Sequence, residues 1–214
     1  MVHDPGSDPG YIISNLQIRG QNHLGLFGHL GTEVLVCNLG LEGLDINGNA
    51  NIGGLAGRNE GNITASYSNG TIHGGNVVGG LVGRNKDGNI IDSYSRGTVS
   101  GKRDIGGLVG FNYRGSIIVS YSTSAVNGTE DFGGLVGDHY DGNTSHSFWD
   151  IQTSGRTWSD GGTGKTTAEM QTAGTFLEAG WDFVGETANG TEDIWWILEG
   201  QDYPRLWWEL IPEN

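Results

Sequence analysis

Read for polarity alone, the middle of the chain repeats one short pattern. Residues 62–88 run NITASYSNGTIHGGNVVGGLVGRNKDG, 89–115 run NIIDSYSRGTVSGKRDIGGLVGFNYRG, and 116–142 run SIIVSYSTSAVNGTEDFGGLVGDHYDG, each 27 residues long. Residues 33–61 hold the same unit with two extra residues, 11–32 hold a worn copy that includes LGLFG, and 143–149 (NTSHSFW) begin another and then depart. Within a unit, three short stretches rich in Ile, Val, Tyr, Ser and Thr are broken by glycine at fixed places. No window sets apolar residues at i, i+3, i+4 and i+7 over three turns, so the pattern is one of strands and not of helices. Short strands and bends at a fixed period predict the coils of a β-solenoid, in which equivalent residues stack on successive coils about 4.8 Å apart. Five such coils give a core about 25 Å long at that spacing.

The stacked columns follow from the period. Ile18, Ile46, Ile72, Val99 and Val126 form one apolar column, Leu26, Leu55, Leu81, Leu108 and Leu135 a second, and Leu24, Ile52, Val78, Ile105 and Phe132 a third. Asn59, Asn85 and Asn112 share another position, as do Asn62, Asn89 and Asn143. Stacked asparagines hydrogen-bond along a solenoid, and the same residues tolerate the left-handed backbone of turns. Tyr67, Tyr94, Tyr121 and Phe148 make an aromatic column. Pointing them inward would also send Asp92 and His146 inward, and a buried unpaired carboxylate is costly. Pointing them outward buries the flanking serines, which can satisfy one another. The column is therefore expected to face out, either as a binding stripe of exposed rings for sugars or another rod, or as the seat of the tail.

That tail, from residue 150, holds Trp158, Trp181, Trp195, Trp196, Trp207 and Trp208. It also holds SDGGTGKTTAEM at 159–170, whose GTGKTT resembles a phosphate-binding loop. That loop needs a glycine five residues before Gly164, and Ser159 stands there. Thr166 and Glu169 instead fit a capping box that opens a helix. The expected organisation is a lead-in over 1–10, a β-helix over 11–149, and over 150–214 a Trp-rich cap with a short helix that shields the end of the array. The lead-in, with two prolines and two glycines, is too poor in apolar residues to shield a coil beginning YIISNLQI. Ile12, Ile13, Leu16 and Ile18 should then be offered to further coils or to another copy docking end to end as a fibre.

The units resemble the GLUG-type repeat, carried here by GGLAGRN, GGLVGRN and GGLVGFN and by SYSNGTI, SYSRGTV and SYSTSAV, over about residues 24–149. The segment from SFWDIQTSG to DYPRLWW is similar to the one that follows such arrays in microbial surface proteins. The resemblance implies an all-β, right-handed parallel β-helix in a secreted or cell-surface protein, among them adhesins and immunoglobulin A proteases. In those proteases the repeats are not the catalytic part, and H-E-x-x-H is absent here. A non-enzymatic structural or adhesive module, able to join end to end into fibres, is the expected function. Its expected partners are itself, other surface proteins or a polysaccharide. The alternative is a carbohydrate-binding or polysaccharide-cleaving β-helix.

Composition narrows this further. The net charge is −14 over 214 residues, with only three lysines. Such a chain repels phosphate backbones and anionic membranes, so neither nucleic acid nor membrane insertion is expected. Cys37 is the single cysteine, which removes disulfide frameworks and cysteine-built zinc sites. The first ten residues do not form a signal sequence. Asp104 and Asp131 occupy one position on successive coils, at a separation that would suit a retaining glycosidase. With Arg103 and Glu130 beside them they are expected to be solvated turn charges. DHYDGNTSH carries Asp138, His139, Asp141 and His146 in a spacing that matches no familiar metal site. Five N-x-[ST] sequons suit a secreted protein without establishing one. No catalytic residue, metal or cofactor is expected.

Overall fold

The computed structural model describes residues 10–210. The array is a parallel β-solenoid of about five coils, each side of which is a stack of parallel strands. One coil shows the plan: Tyr67–His73, Asn76–Gly79, Val82–Lys86 and Asn89–Ile91 lie on the first to fourth sheets in turn. The coil thus has four strands where the sequence pattern suggests three stretches. The difference lies in GGLVG. A side chain on Gly106, in the second sheet, would collide with the carbonyl oxygen of Val109, in the third. Only glycine lets the backbone fold this tightly, so a run that reads as one strand is bent into two.

Register follows the 27-residue period. Tyr67 pairs with Tyr94 and Tyr94 with Tyr121, and Ile72 pairs with Val99, which pairs with Val126. All three expected apolar columns stack inside the coils. A fourth runs beside them on the last sheet, where Ile63, Ile90 and Ile117 are fully buried. An extra residue between Leu41 and Leu44, opposite Ser68 and Gly70, is absorbed as a bulge.

Two polar ladders share the interior. The side chain of Asn59 donates to Asn85 at 2.9 Å, and that of Asn85 donates to Asn112 at 2.9 Å. Each also donates to a carbonyl of the adjoining turn, Gly61, Gly88 or Gly115, at 3.0–3.1 Å. All three amides are fully buried, and these bonds offset their desolvation. The second asparagine column is shorter than expected. Asn89 donates to Asn62 at 2.8 Å, but Ser116 separates Asn89 from Asn143. The serines form the other ladder. Backbone N–H groups of Ser66, Ser93 and Ser120 donate to the hydroxyls of Ser93, Ser120 and Ser147 at 3.1–3.3 Å. The serines therefore face in and the tyrosines face out, as the alternation argument requires.

The far end of the array is sealed by the start of the tail. Phe148–Asp150 adds a rung to the first sheet, and Thr163–Lys165 pairs beyond it. The GTGK segment is thus the last strand of a sheet. Thr166 then caps Thr167–Met170, with both halves of the capping box formed, and Nζ of Lys165 lies 3.8 Å from the Glu169 carboxylate. Between these rungs the chain crosses the open coil. Arg156 donates to the Val126 carbonyl, Gly134 N–H donates to the Trp158 carbonyl, and the Ser159 hydroxyl accepts from Leu135 and Val136 N–H groups. Trp149, 6% exposed, packs over the apolar interior.

At the opposite end the strands of the first coil, from Tyr11–Ser14 to Leu35–Cys37, pair on one side only among the described residues. Ile12 and Ile13 are exposed there, while Leu16 and Ile18 pack against the core. The expected lead-in lies, but for Gly10, outside the described residues. No helix among the described residues is long and apolar enough to cross a membrane.

The buried ladder carries a prediction. Asn85→Ala strands one donor or acceptor on each of two neighbours, and should destabilise the fold by about 2–4 kcal/mol. Asn89→Ala, at a partly exposed rung, should cost less than about 1 kcal/mol. Urea unfolding of both variants measures the difference.

Candidate functional surfaces

The aromatic column is as regular as the period suggests. Tyr67 and Tyr94 stack at 4.7 Å and 5°, and Tyr94 and Tyr121 stack at 4.9 Å and 13°. Phe148 follows in register. The rings point out of the coil, yet none is more than 7% exposed. The tail lies over them. Trp208 stacks on Tyr67 at 5.6 Å, Trp195 packs on Tyr94 and Tyr121, and Phe176 meets Phe148 edge-on at 5.6 Å. The expected binding stripe Tyr67, Tyr94, Tyr121 and Phe148 is therefore the floor of a second apolar core and offers no free surface. Trp181, Trp195 and Trp208, each at most 3% exposed, bury their apolar area against these rings, which decides the matter against exposure.

Polar anchors fix the tail in one register. Three indole N–H groups reach the corner between the fourth and first sheets. Trp208 donates to the Ala65 carbonyl at 3.1 Å, Trp195 to the Asp92 carboxylate at 3.3 Å, and Trp181 to the His146 carbonyl at 2.8 Å. These corner residues all have left-handed backbone, with φ between 46° and 48°. Tyr94 donates to the Glu209 carboxylate at 2.9 Å and Tyr121 to the Pro204 carbonyl at 2.5 Å. Arg96 lies 5.0 Å over the Tyr94 ring, donates to the Tyr121 hydroxyl at 3.0 Å and faces Asp202 at 3.7 Å. The buried Asp150 carboxylate is the hub of the junction. It caps Ile151–Ser154 and accepts from Thr167 and Tyr203, both at 2.7 Å.

Burial dominates the titration of this interface. It pushes the Asp92 carboxyl up to about 7, with Asp182 adding to the rise and the Trp195 N–H opposing it. It also raises Glu209, against the bonds from Leu206 and Tyr94 and the charges of Arg205 and Arg96.

The other sequence candidates lie apart from one another. Asp104 and Asp131 lie within second-sheet strands, Arg103–Gly106 and Glu130–Gly133, at left-handed positions with φ of 54° and 47°, and Arg103 sits between them, 3.4 and 3.5 Å from their carboxylates. Asp104 is buried and Asp131 exposed. Burial raises the Asp104 carboxyl while Arg103 opposes the rise. Arg103 screens the pair as expected, but only Asp131 is a solvated charge, since Asp104 is buried in its strand. Asp138 accepts its neighbour's N–H at 2.9 Å, His139 ends the asparagine ladder 3.4 Å from Asn112, and Asp141 and His146 are bend residues. Among the described residues no three His, Cys, Asp or Glu side chains are grouped to hold a metal ion.

One surface escaped the sequence reading. On the outward face of the third sheet Tyr113 and Tyr140 stack at 5.4 Å, Phe111 lies 6.2 Å from Tyr113, and Arg84 sits 5.0 Å over Phe111. The signal was present as RNK, FNY and DHY at one position of successive units. It was missed because outward positions need not repeat.

Residues 48–72 and 74–100 match the family model of the GLUG motif. The matched stretches take in most of the second and third coils, with Asn59 and Asn85 of the asparagine ladder and Ser66 and Ser93 of the serine ladder. Over 76 residues, 35% of the chain, the sequence is 37% identical to halomucin of Haloquadratum walsbyi. The chain covers only 1% of halomucin's length. No solved structure matches the chain.

The raised Asp92 carboxyl makes tail docking depend on pH. The folded group holds its proton up to about pH 7, whereas the ordinary value is 3.8. Its contribution to stability is thus full below about pH 4 and lost as the pH rises to about 7. Asp92→Asn keeps an acceptor for Trp195 and should remove this fall, stabilising the chain at pH 8 by on the order of 1 kcal/mol for a half-buried group. Thermal melts of both proteins between pH 4 and 8 check the sign.

Proposed function

We propose that the chain is a non-enzymatic structural module of an extracellular or cell surface, joined to its neighbours through the edge of its first coil. The observation that carries this reading is the asymmetry of the two ends. Tyr11, Ile12 and Leu35 are 64%, 55% and 62% exposed on strands that pair on one side only among the described residues, while the far end is closed by the tail. Unpaired strand backbone flanked by apolar side chains is a template for strand addition. The GLUG coils and the similarity to part of halomucin support an architectural role over a catalytic one.

The sealed end also bears on self-assembly. A head-to-tail fibre needs a free edge at both ends, and the tail occupies much of one. Two copies can still meet through their first coils. That contact is two-fold, so it closes on itself and stops at a pair.

Sedimentation and electron microscopy across protein and salt concentration test this. The net charge of −14 opposes association, so dimers should be favoured as salt shortens the screening length to about 3 Å near 1 M. Ile12→Lys with Leu35→Lys should return the protein to monomers. A strictly monomeric wild type at high concentration and salt would remove self-association, and long filaments would show that the head-to-tail contact prevails.

A further inference from the structure

The chain has 11 basic residues against 25 acidic ones. With so many carboxylates available, a basic side chain left without one is unusual. Nine of the 11 lie within 4.0 Å of a carboxylate, and Arg156 donates to a backbone carbonyl. Among the described residues Arg84 alone has no acceptor. Its guanidinium is held by rings, 5.0 Å from the centre of Phe111 and 5.9 Å from that of Tyr113, and its Nε is shielded from solvent with no hydrogen bond. Other arginines also leave Nε unused. What sets Arg84 apart is that nothing among the described residues takes any of its donors.

The surroundings are ordered for recognition. Val82 and Asn85 are buried, while Arg84 and Lys86 alternate with them on the outward face. Register places Arg84 beside Phe111 and Lys86 beside Tyr113, with Tyr140 one rung further. Lys86 is 3.4 Å from Glu60, which also takes Arg58, so neither competes for a new anion. Arg114 stacks 4.7 Å over Tyr113 while its own charge is met by Asp87. On the Arg84 column the next carboxylate is Asp138, two rungs away and about 10 Å distant. Tyr140 is 60% exposed at the end of the ring ladder.

We propose that this face binds an acidic oligosaccharide, with a sugar carboxylate on the Arg84 guanidinium and a neighbouring sugar ring against Tyr140. A guanidinium fork already fixed on aromatic rings is oriented to take a carboxylate through two parallel N–H bonds. Rings standing on an open sheet suit the apolar C–H face of a sugar, and their hydroxyls suit its hydroxyls. A single unpaired cation on a chain of −14 selects one carboxylate per contact. A densely charged polyanion would be repelled, which separates this ligand from nucleic acids and acidic peptides. The distance of about two rungs between Arg84 and Tyr140 calls for an oligosaccharide over a lone sugar.

Amide chemical-shift titration of the whole chain with tri-galacturonate tests the assignment. Shifts should cluster on 82–86, 109–113 and 136–140. Arg84→Gln should weaken binding by about tenfold, equivalent to about 1.4 kcal/mol. The methyl ester of the same sugar, which keeps the rings and removes the charge, should lose a similar factor with the wild type. Tyr140→Leu should weaken the acid and its ester alike, because it removes the ring contact only. Arg19→Gln, whose arginine already pairs with Asp45, should change nothing. Arg84→Lys, which keeps the charge and loses the fork, should fall between wild type and Arg84→Gln. Circular dichroism of each variant confirms that the coils are intact. Absence of any shift up to the solubility limit of the sugar would overturn the proposal, as would equal affinity in Arg84→Gln. An Asp-Gly repeat peptide that binds as tightly, with the same dependence on Arg84, would assign the face to acidic peptides and overturn the sugar.

Discussion

Everything in this structure rests on one constraint: each residue sits about one strand spacing from its own counterpart on the next coil. A side chain is kept only if it is compatible with a copy of itself. Leucine, isoleucine and valine meet that condition by packing. Asparagine meets it because its amide donates on one side and accepts on the other, and serine because its hydroxyl accepts a backbone N–H from the neighbouring coil while donating to a carbonyl of its own. Carboxylates and ammonium groups fail it, since like charges would stack along the axis. Where like charges do stack, a counter-charge reaches them from beside the column: Arg103 lies between Asp104 and Asp131, and Glu60 takes Arg58, the neighbour of Arg84.

The same condition explains what the amino-acid sequence made legible. The period is written in the inward residues, so the solenoid, its apolar columns and the direction of Tyr67, Tyr94 and Tyr121 could be read directly. The number of faces could not, because the Gly-Gly bend leaves apolar residues on both sides and reads as one stretch. The second asparagine column was overdrawn for a simple reason: Ser116 substitutes for one rung, and a two-rung gap breaks a ladder that needs contact. The third sheet's arginine and rings escaped notice because that face changes residue from rung to rung, Arg84 to Phe111 to Asp138 and Lys86 to Tyr113 to Tyr140, and so shows no repeat. The tail is the opposite case. Its tryptophans announced an apolar partner and the exposed tyrosine column offered one, but which indole meets which bend depends on chain geometry that no repeat encodes.

The tail joins two tasks that other solenoids keep separate. Residues 156–165 close the end of the coil stack by supplying acceptors and donors to the last strands, and the rest lies along the flank as a clasp. Asp150 stands where the two meet and binds both. Because its carboxylate caps one helix and accepts from Thr167 and Tyr203, the end closure and the clasp share one anchor. A change at that residue would loosen both together.

The three indole contacts at Ala65, Asp92 and His146 have a further consequence for how such an array can evolve. Most solenoids gain or lose a coil freely, since any rung accepts any other. Here the clasp spans four consecutive corners, gripping the first, second and fourth and passing over Val119. It therefore works as a gauge. Deleting or duplicating a coil within this span would put every indole against the wrong corner, whereas a coil inserted before residue 38 would leave the gauge untouched. The grip of the tail divides the repeats into a stretch whose number is counted and a stretch whose number is free to vary.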